Sequence, residues 1–171
     1  AVQPSQRYEQ RPQLFWNCGD GCPRQFVPVA QDAMGDLGEP VAGRGAAYAD
    51  IDGDGDLDIA VTQPGRAVRL YRNDQATSHR WLRVRLEGRG GNREALGAIA
   101  RLRWSGGVQE RAVMPTRSYL AQVEPVLTFG LGADGRAEEL EIRWPDGAMS
   151  THAAPATGGE WLVAQPTGAG E

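Results

Sequence analysis

The sequence predicts an all-β fold, and three observations carry that expectation. Glycine makes up 23 of the 171 residues, roughly twice its usual share of about 7%, and proline a further 11. Chain punctuation of this density leaves no room for long helices and favours short strands joined by tight turns. Several segments also alternate apolar and charged residues with a period of two, the mark of a strand buried on one face. Turn signals then recur between these segments at near-regular spacing.

Taken in order, residues 1–12 have no apolar period and read as an extended N-terminal arm. Residues 13–29 read as a hairpin, with Leu14-Phe15-Trp16 and Phe26-Val27-Pro28-Val29 on either side of a cysteine-containing turn. Residues 30–44 are a Gly/Asp/Pro loop, followed by strand-like runs at Gly45–Asp50, Leu57–Thr62 and Ala67–Arg72. After a polar break, Leu82, Val84 and Leu86 alternate with Arg83, Arg85 and Glu87. Ala100, Leu102 and Trp104 alternate with Arg101 and Arg103, and Leu140, Ile142 and Trp144 with Glu139, Glu141 and Arg143. Val108–Met114, Val126–Phe129 and Glu160–Val163 are further strand candidates. Turns are expected at Gly88–Asn92, Ser105–Gly107, Ala133–Gly135 and Pro145–Gly147, and residues 165–171 read as a flexible tail.

Charge narrows the chemistry. All 18 basic residues are arginine, so lysine Schiff bases and a P-loop lysine are excluded. The net charge of −4 hides a strong asymmetry: residues 1–65 carry −6, residues 66–117 carry +8 and residues 118–171 carry −6. The basic third is expected to be the outward row of strands, covered by the acidic thirds, so no nucleic-acid partner is expected. No apolar run approaches the roughly 18 residues of a membrane-spanning helix.

Cys18 and Cys22 flank the turn Cys18-Gly19-Asp20-Gly21-Cys22. Cysteines facing each other across a short hairpin loop can reach the Cα separation of a disulfide, about 5.5 Å. A bridge, and with it an oxidising compartment, is the favoured reading. Two free thiols or half of a metal site are the rivals, the latter short of ligands because only His79 and His152 exist to complete it.

One motif carries strong chemistry: Asp50-Ile51-Asp52-Gly53-Asp54-Gly55-Asp56-Leu57-Asp58. Five of the chain's eleven aspartates lie within these residues. So many like charges in one loop are costly without a neutralising cation. Ca²⁺ takes 6–8 oxygen ligands, and the spacing offers Asp50, Asp52 and Asp54 at positions 1, 3 and 5, with Gly55 at the turn. The Asp56 backbone carbonyl and the Asp58 carboxylate follow at positions 7 and 9. Position 12, a glutamate in an EF-hand, is Val61 here, and the flanks are β-like, so this is a calcium loop within a hairpin. A solvated acidic turn is the plainer alternative, and Mg²⁺ fits less well because it takes fewer protein ligands.

With its flanks, Gly43 to Val61 followed by Leu70-Tyr71-Arg72-Asn73-Asp74, the motif resembles an FG-GAP/VCBS repeat, the calcium-bearing blade of integrin-type β-propellers. Residues 14–29 resemble the closing strands of a preceding blade. Downstream, Trp81-Leu82-Arg83-Val84-Arg85-Leu86, Asn92 to Ala98, Ser118-Tyr119-Leu120-Ala121-Gln122, Phe129-Gly130-Leu131-Gly132 and Arg143-Trp144-Pro145-Asp146-Gly147 resemble an ASPIC/UnbV domain of the cartilage acidic protein-like family. The resemblance covers roughly residues 13–164. It implies an incomplete propeller-type blade over 13–75 and a β-sandwich-like domain over 76–164. It also implies Ca²⁺ ligation by Asp50, Asp52, Asp54 and Asp58 with the Asp56 carbonyl, a secreted or periplasmic location, and no catalytic residue to carry over. One complete repeat and the end of another are present, so edges are left open unless the blade packs on its own neighbour, a longer chain continues it, or a partner covers it.

Other motifs carry less. Gly130-Leu131-Gly132-Ala133-Asp134-Gly135 fits the glycine spacing of a dinucleotide site but precedes a strand rather than a helix. Ser78-His79 near Asp74 lacks a rigid elbow for hydrolase chemistry. Glu139 and Glu141 are expected to pair with Arg101 and Arg103 across strands. The five tryptophans suggest either core or a sugar-stacking platform. The resulting expectation is a non-enzymatic, extracytoplasmic, calcium-stabilised protein–protein interaction module. It is expected to be an accessory subunit on a larger complex, with a membrane complex as one host. A carbohydrate-binding or adhesion module is the alternative.

Overall fold

The computed structural model describes residues 7–18, 24–74, 78–155 and 158–167. As expected, the fold is all-β, built of open sheets, and among the described residues short 3₁₀ turns at Gln31–Ala33 and Gly35–Gly38 lie inside the predicted loop. β1 (Phe15–Asn17) and β2 (Phe26–Pro28) form an antiparallel hairpin. β3 (Ala46–Ala49), β4 (Asp58–Val61) and β5 (Arg69–Tyr71) form an antiparallel meander with β4 central. Gln10 bridges Val41, and the Arg11 guanidinium donates to the Gly38 carbonyl at 3.0 Å. The described part of the expected N-terminal arm therefore lies along the chain's own loop.

The C-terminal part is a two-sheet sandwich. β6 (Arg80–Glu87) lies between β11 (Val126–Gly132), antiparallel to it, and β14 (Glu160–Ala164), parallel to it. The second sheet runs β13 (Met149–Ala153), β12 (Ala137–Arg143), β7 (Ile99–Trp104), β8 (Gly107–Ala112), all antiparallel. A small hairpin, β9 (Thr116–Ser118) with β10 (Ala121–Gln122), stands between the sandwich and the meander.

Alternation decides the core. Leu82, Val84 and Leu86 of β6 and Leu127, Phe129 and Leu131 of β11 face Ala100 and Leu102 of β7 and Leu140 and Ile142 of β12 in one buried cluster. Trp144 completes it, while Trp104 only borders it. The charged phase of β7 and β12 faces outward, and Arg103 pairs with Glu139 as cross-strand register demands. Gly130 and Gly132 of the dinucleotide-like motif lie within β11 itself, and a Cβ on Gly135 would fall 1.8 Å from the Leu131 carbonyl oxygen. These glycines thus serve a strand and a tight turn.

The meander does not stand apart. Ser118 Oγ accepts the Ala46 amide at 3.2 Å, the Arg44 guanidinium lies 4.8 Å from the centre of the Tyr119 ring, and a Cβ on Gly45 would come within 2.6 Å of the Tyr119 carbonyl oxygen. One edge of the blade-like sheet therefore rests on the β9–β10 hairpin. Large apolar side chains remain in solvent at Leu14, Phe15, Trp16 and Phe26 of the first hairpin region, and at Val68 and Leu70 around β5, the far edge of the meander.

Candidate metal centre

The aspartate loop connects β3 to β4, and the hairpin geometry brings its early carboxylates together. Asp50, Asp52 and Asp54 each present an oxygen within 4.8 Å of the others. Oxygens bound to one Ca²⁺ at 2.3–2.6 Å lie at most about 5 Å apart, so the three acids can share one ion. The donor set is all hard oxygen, as Ca²⁺ requires. Local hydrogen bonds hold the acids in place. Asp50 Oδ1 accepts the Gly53 amide at 2.8 Å and Asp50 Oδ2 the Gly55 amide at 3.1 Å. Asp54 Oδ1 accepts the Asp56 amide at 2.9 Å. Gly53 and Gly55 have φ of 80° and 94°, a backbone that other residues reach only with strain.

Asp56 and Asp58 fall outside that three-carboxylate group. Burial, and then the Asp54, Asp50, Asp52 and Asp58 carboxylates in that order, raise the Asp56 carboxyl above its ordinary value. Asp58 is 2% exposed. Its Oδ2 accepts the Ile51 amide at 3.0 Å and its Oδ1 the Asn73 amide at 2.8 Å. Asp58 thus ties the start of the loop to the segment that leaves β5. A bound Ca²⁺ would be held by Asp50, Asp52 and Asp54, with the Asp56 carbonyl and Asp58 at the spacing to complete its shell. The ion would neutralise the loop's repulsion and stiffen the β3–β4 connection.

Three residues that sequence reasoning did not assign to the loop prove central: Arg83 and Trp81 of β6, and Glu124 before β11. Arg83 reads as an outward residue of β6, yet it is only 5% exposed. Its guanidinium donates to Asp50 Oδ2 through one terminal nitrogen and to Glu124 Oε2 at 2.6 Å through the other, with Glu160 3.9 Å away. Trp81, two residues earlier and on the same face, lies against Gly55 so closely that a Cβ there would sit 1.9 Å from the indole. Glu124 also accepts the Asp50 amide at 3.4 Å. The outer face of β6 is not solvent-facing at this end because the aspartate loop covers it. The available signal was the arginine-rich third lying next to the densest acidic segment, which names the two regions but not the residue.

Of the two cysteines, Cys18 is not a free thiol, and Cys22 lies outside the described residues. Ser78 and His79 are exposed, and no described hydrogen bond joins them to Asp74, whose partner is Arg72. Among the five tryptophans, Trp16 alone is exposed.

Comparison with known proteins gives two family matches in this chain. The ASPIC and UnbV family matches residues 88–170, and the FG-GAP-like repeat family matches residues 5–61, which include the whole aspartate loop. The chain belongs to the family that joins FG-GAP-like repeats to an ASPIC/UnbV domain. Cartilage acidic protein 1 of Mus musculus is 34% identical over 119 residues, covering 67% of this chain, and that of Xenopus tropicalis is 35% identical over 127 residues, covering 68%. The match takes in only 18% of the length of each of these relatives. The FG-GAP-like match takes in β1 to β4 with the aspartate loop and the ASPIC/UnbV match takes in β7 to β14, with β5 and β6 between them.

Proposed function

We propose that this chain is a non-enzymatic, calcium-stabilised, extracytoplasmic module that works by protein–protein contact as an accessory part of a larger complex. The observation that carries the reading is the division of labour around the FG-GAP-like sheet. The sheet is fixed to the ASPIC/UnbV sandwich through the aspartate loop, while Phe15, Trp16 and Phe26 of the first hairpin and Leu70 of the β5 edge stand exposed. A hairpin and a sheet edge carrying large apolar side chains in solvent are the features that a protein partner covers. Among the described residues, no helix is long and apolar enough to cross a membrane. The relatives' name, cartilage acidic protein, and the cysteine turn both favour a compartment outside the cytoplasm. A sugar-stacking platform is less favoured, because only Trp16 of the five tryptophans is exposed.

Native mass spectrometry of the chain captured from its source tests the reading. The wild-type chain is expected in a larger complex and a Trp16→Ala, Phe26→Ala chain as a free species; recovery of the wild type solely as a monomer would overturn it. The Cys18–Cys22 bridge is part of the same proposal. Intact mass under alkylation is expected to show no modifiable thiol until reductant is added, whereas two alkylated thiols without reductant would refute the bridge.

A further inference from the structure

We infer that Arg83 is the internal counter-cation of the aspartate loop: it shares the Asp50 carboxylate with the bound metal, lowers the loop's affinity for divalent ions, and holds the loop on β6 when the ion is absent. The inference rests on the calcium reading of the loop and extends it to a residue of the ASPIC/UnbV sandwich. Asp50 has two carboxylate oxygens, and Arg83 and the Gly55 amide both donate to Oδ2. A cation at hydrogen-bond distance from a metal ligand withdraws negative charge from that ligand and repels the ion that it binds. Burial strengthens both effects, and the Arg83 side chain is only 7% exposed and the Asp50 side chain 1%. Glu124 opposes them, because it pairs with the other terminal nitrogen of Arg83 and accepts the Asp50 amide. The net charge felt at the loop is therefore set from β6 and from the segment before β11, outside the repeat that carries the ligands.

Two substitutions should then act in opposite directions. Arg83→Gln removes the competing positive charge while Gly53 and Gly55 still hold Asp50, so Ca²⁺ should bind about tenfold more tightly. Glu124→Gln leaves Arg83 less compensated, so Ca²⁺ should bind several-fold more weakly.

The test uses Tb³⁺ as the probe, its luminescence sensitised by Trp81 against Gly55, with Ca²⁺ displacing it, on the full chain and both variants. Tighter binding in Arg83→Gln and weaker binding in Glu124→Gln is the expected result. Should Arg83→Gln not fold, weaker binding in Glu124→Gln alone supports the inference, and unchanged or tighter binding overturns it. A wild-type chain that binds while Arg83→Gln binds equally or less tightly overturns this inference alone. A wild-type chain silent to both ions overturns the calcium reading and this inference with it.

Discussion

Replacing Trp144 with alanine is expected to cost about 3–5 kcal/mol of folding stability, the range for truncating a large buried aromatic. Trp144 follows β12 and is 1% exposed, the largest of the fully buried side chains. Its ring packs in the cluster with the apolar rows of both sandwich sheets, and its indole Nε1 donates to Ser150 Oγ at 2.8 Å in β13. The substitution leaves a cavity that strands tied by ladders on both sides cannot close. Trp144→Phe keeps most of the volume and loses the hydrogen bond, so a smaller loss of about 1–2 kcal/mol is expected. Urea denaturation of the three proteins measures both values. A Trp144→Ala loss below 1 kcal/mol would mean that the sandwich is not the stable centre of the molecule.

The second large effect belongs to a carboxylate. Asp58→Ala is expected to cost about 2–4 kcal/mol even without added metal, because it strips the Ile51 and Asn73 amides of their acceptor beneath a covered loop. Asp58→Asn keeps one carbonyl oxygen as acceptor and should cost less than the alanine change. The same denaturation experiment, run in EDTA, separates this structural role from metal ligation. Equal stability of wild type and Asp58→Ala in EDTA would show that Asp58 matters only through an ion.

Much of this arrangement was legible in the chain. Period-2 alternation marked β6, β7 and β12 because each buries one face and pairs on both sides, leaving few other solutions for Leu82, Leu102 or Leu140. Glycine and aspartate spacing marked the loop because a tight turn crowded with carboxylates has few uses. The missed elements lacked a local signal. β13, Met149–Ala153, carries a polar, weakly alternating sequence and is a strand because it extends the β12 ladder. β9 and β10 are too short for a pattern, and their turn places Leu120 at a φ of 49°. The parallel pairing of β14 with β6 joins residues far apart in sequence. Arg83 was misjudged for a similar reason: alternation tells which side of a strand a residue faces, not what lies on that side. Only the docking of the aspartate loop on β6 turns an outward arginine into a buried one.

The central claim is that a calcium ion in the Asp50–Asp58 loop stabilises the folded chain. Thermal melting in EDTA and in 10 mM Ca²⁺ tests it most directly. With a dissociation constant of about 10⁻³ M, in the range of extracellular modules, 10 mM Ca²⁺ should add about 1.4 kcal/mol. For a chain of this size that corresponds to a rise of roughly 3–6 °C in Tm, reversed by chelation and absent in an Asp52→Asn, Asp54→Asn chain. An identical Tm in EDTA and in 10 mM Ca²⁺ would contradict the account.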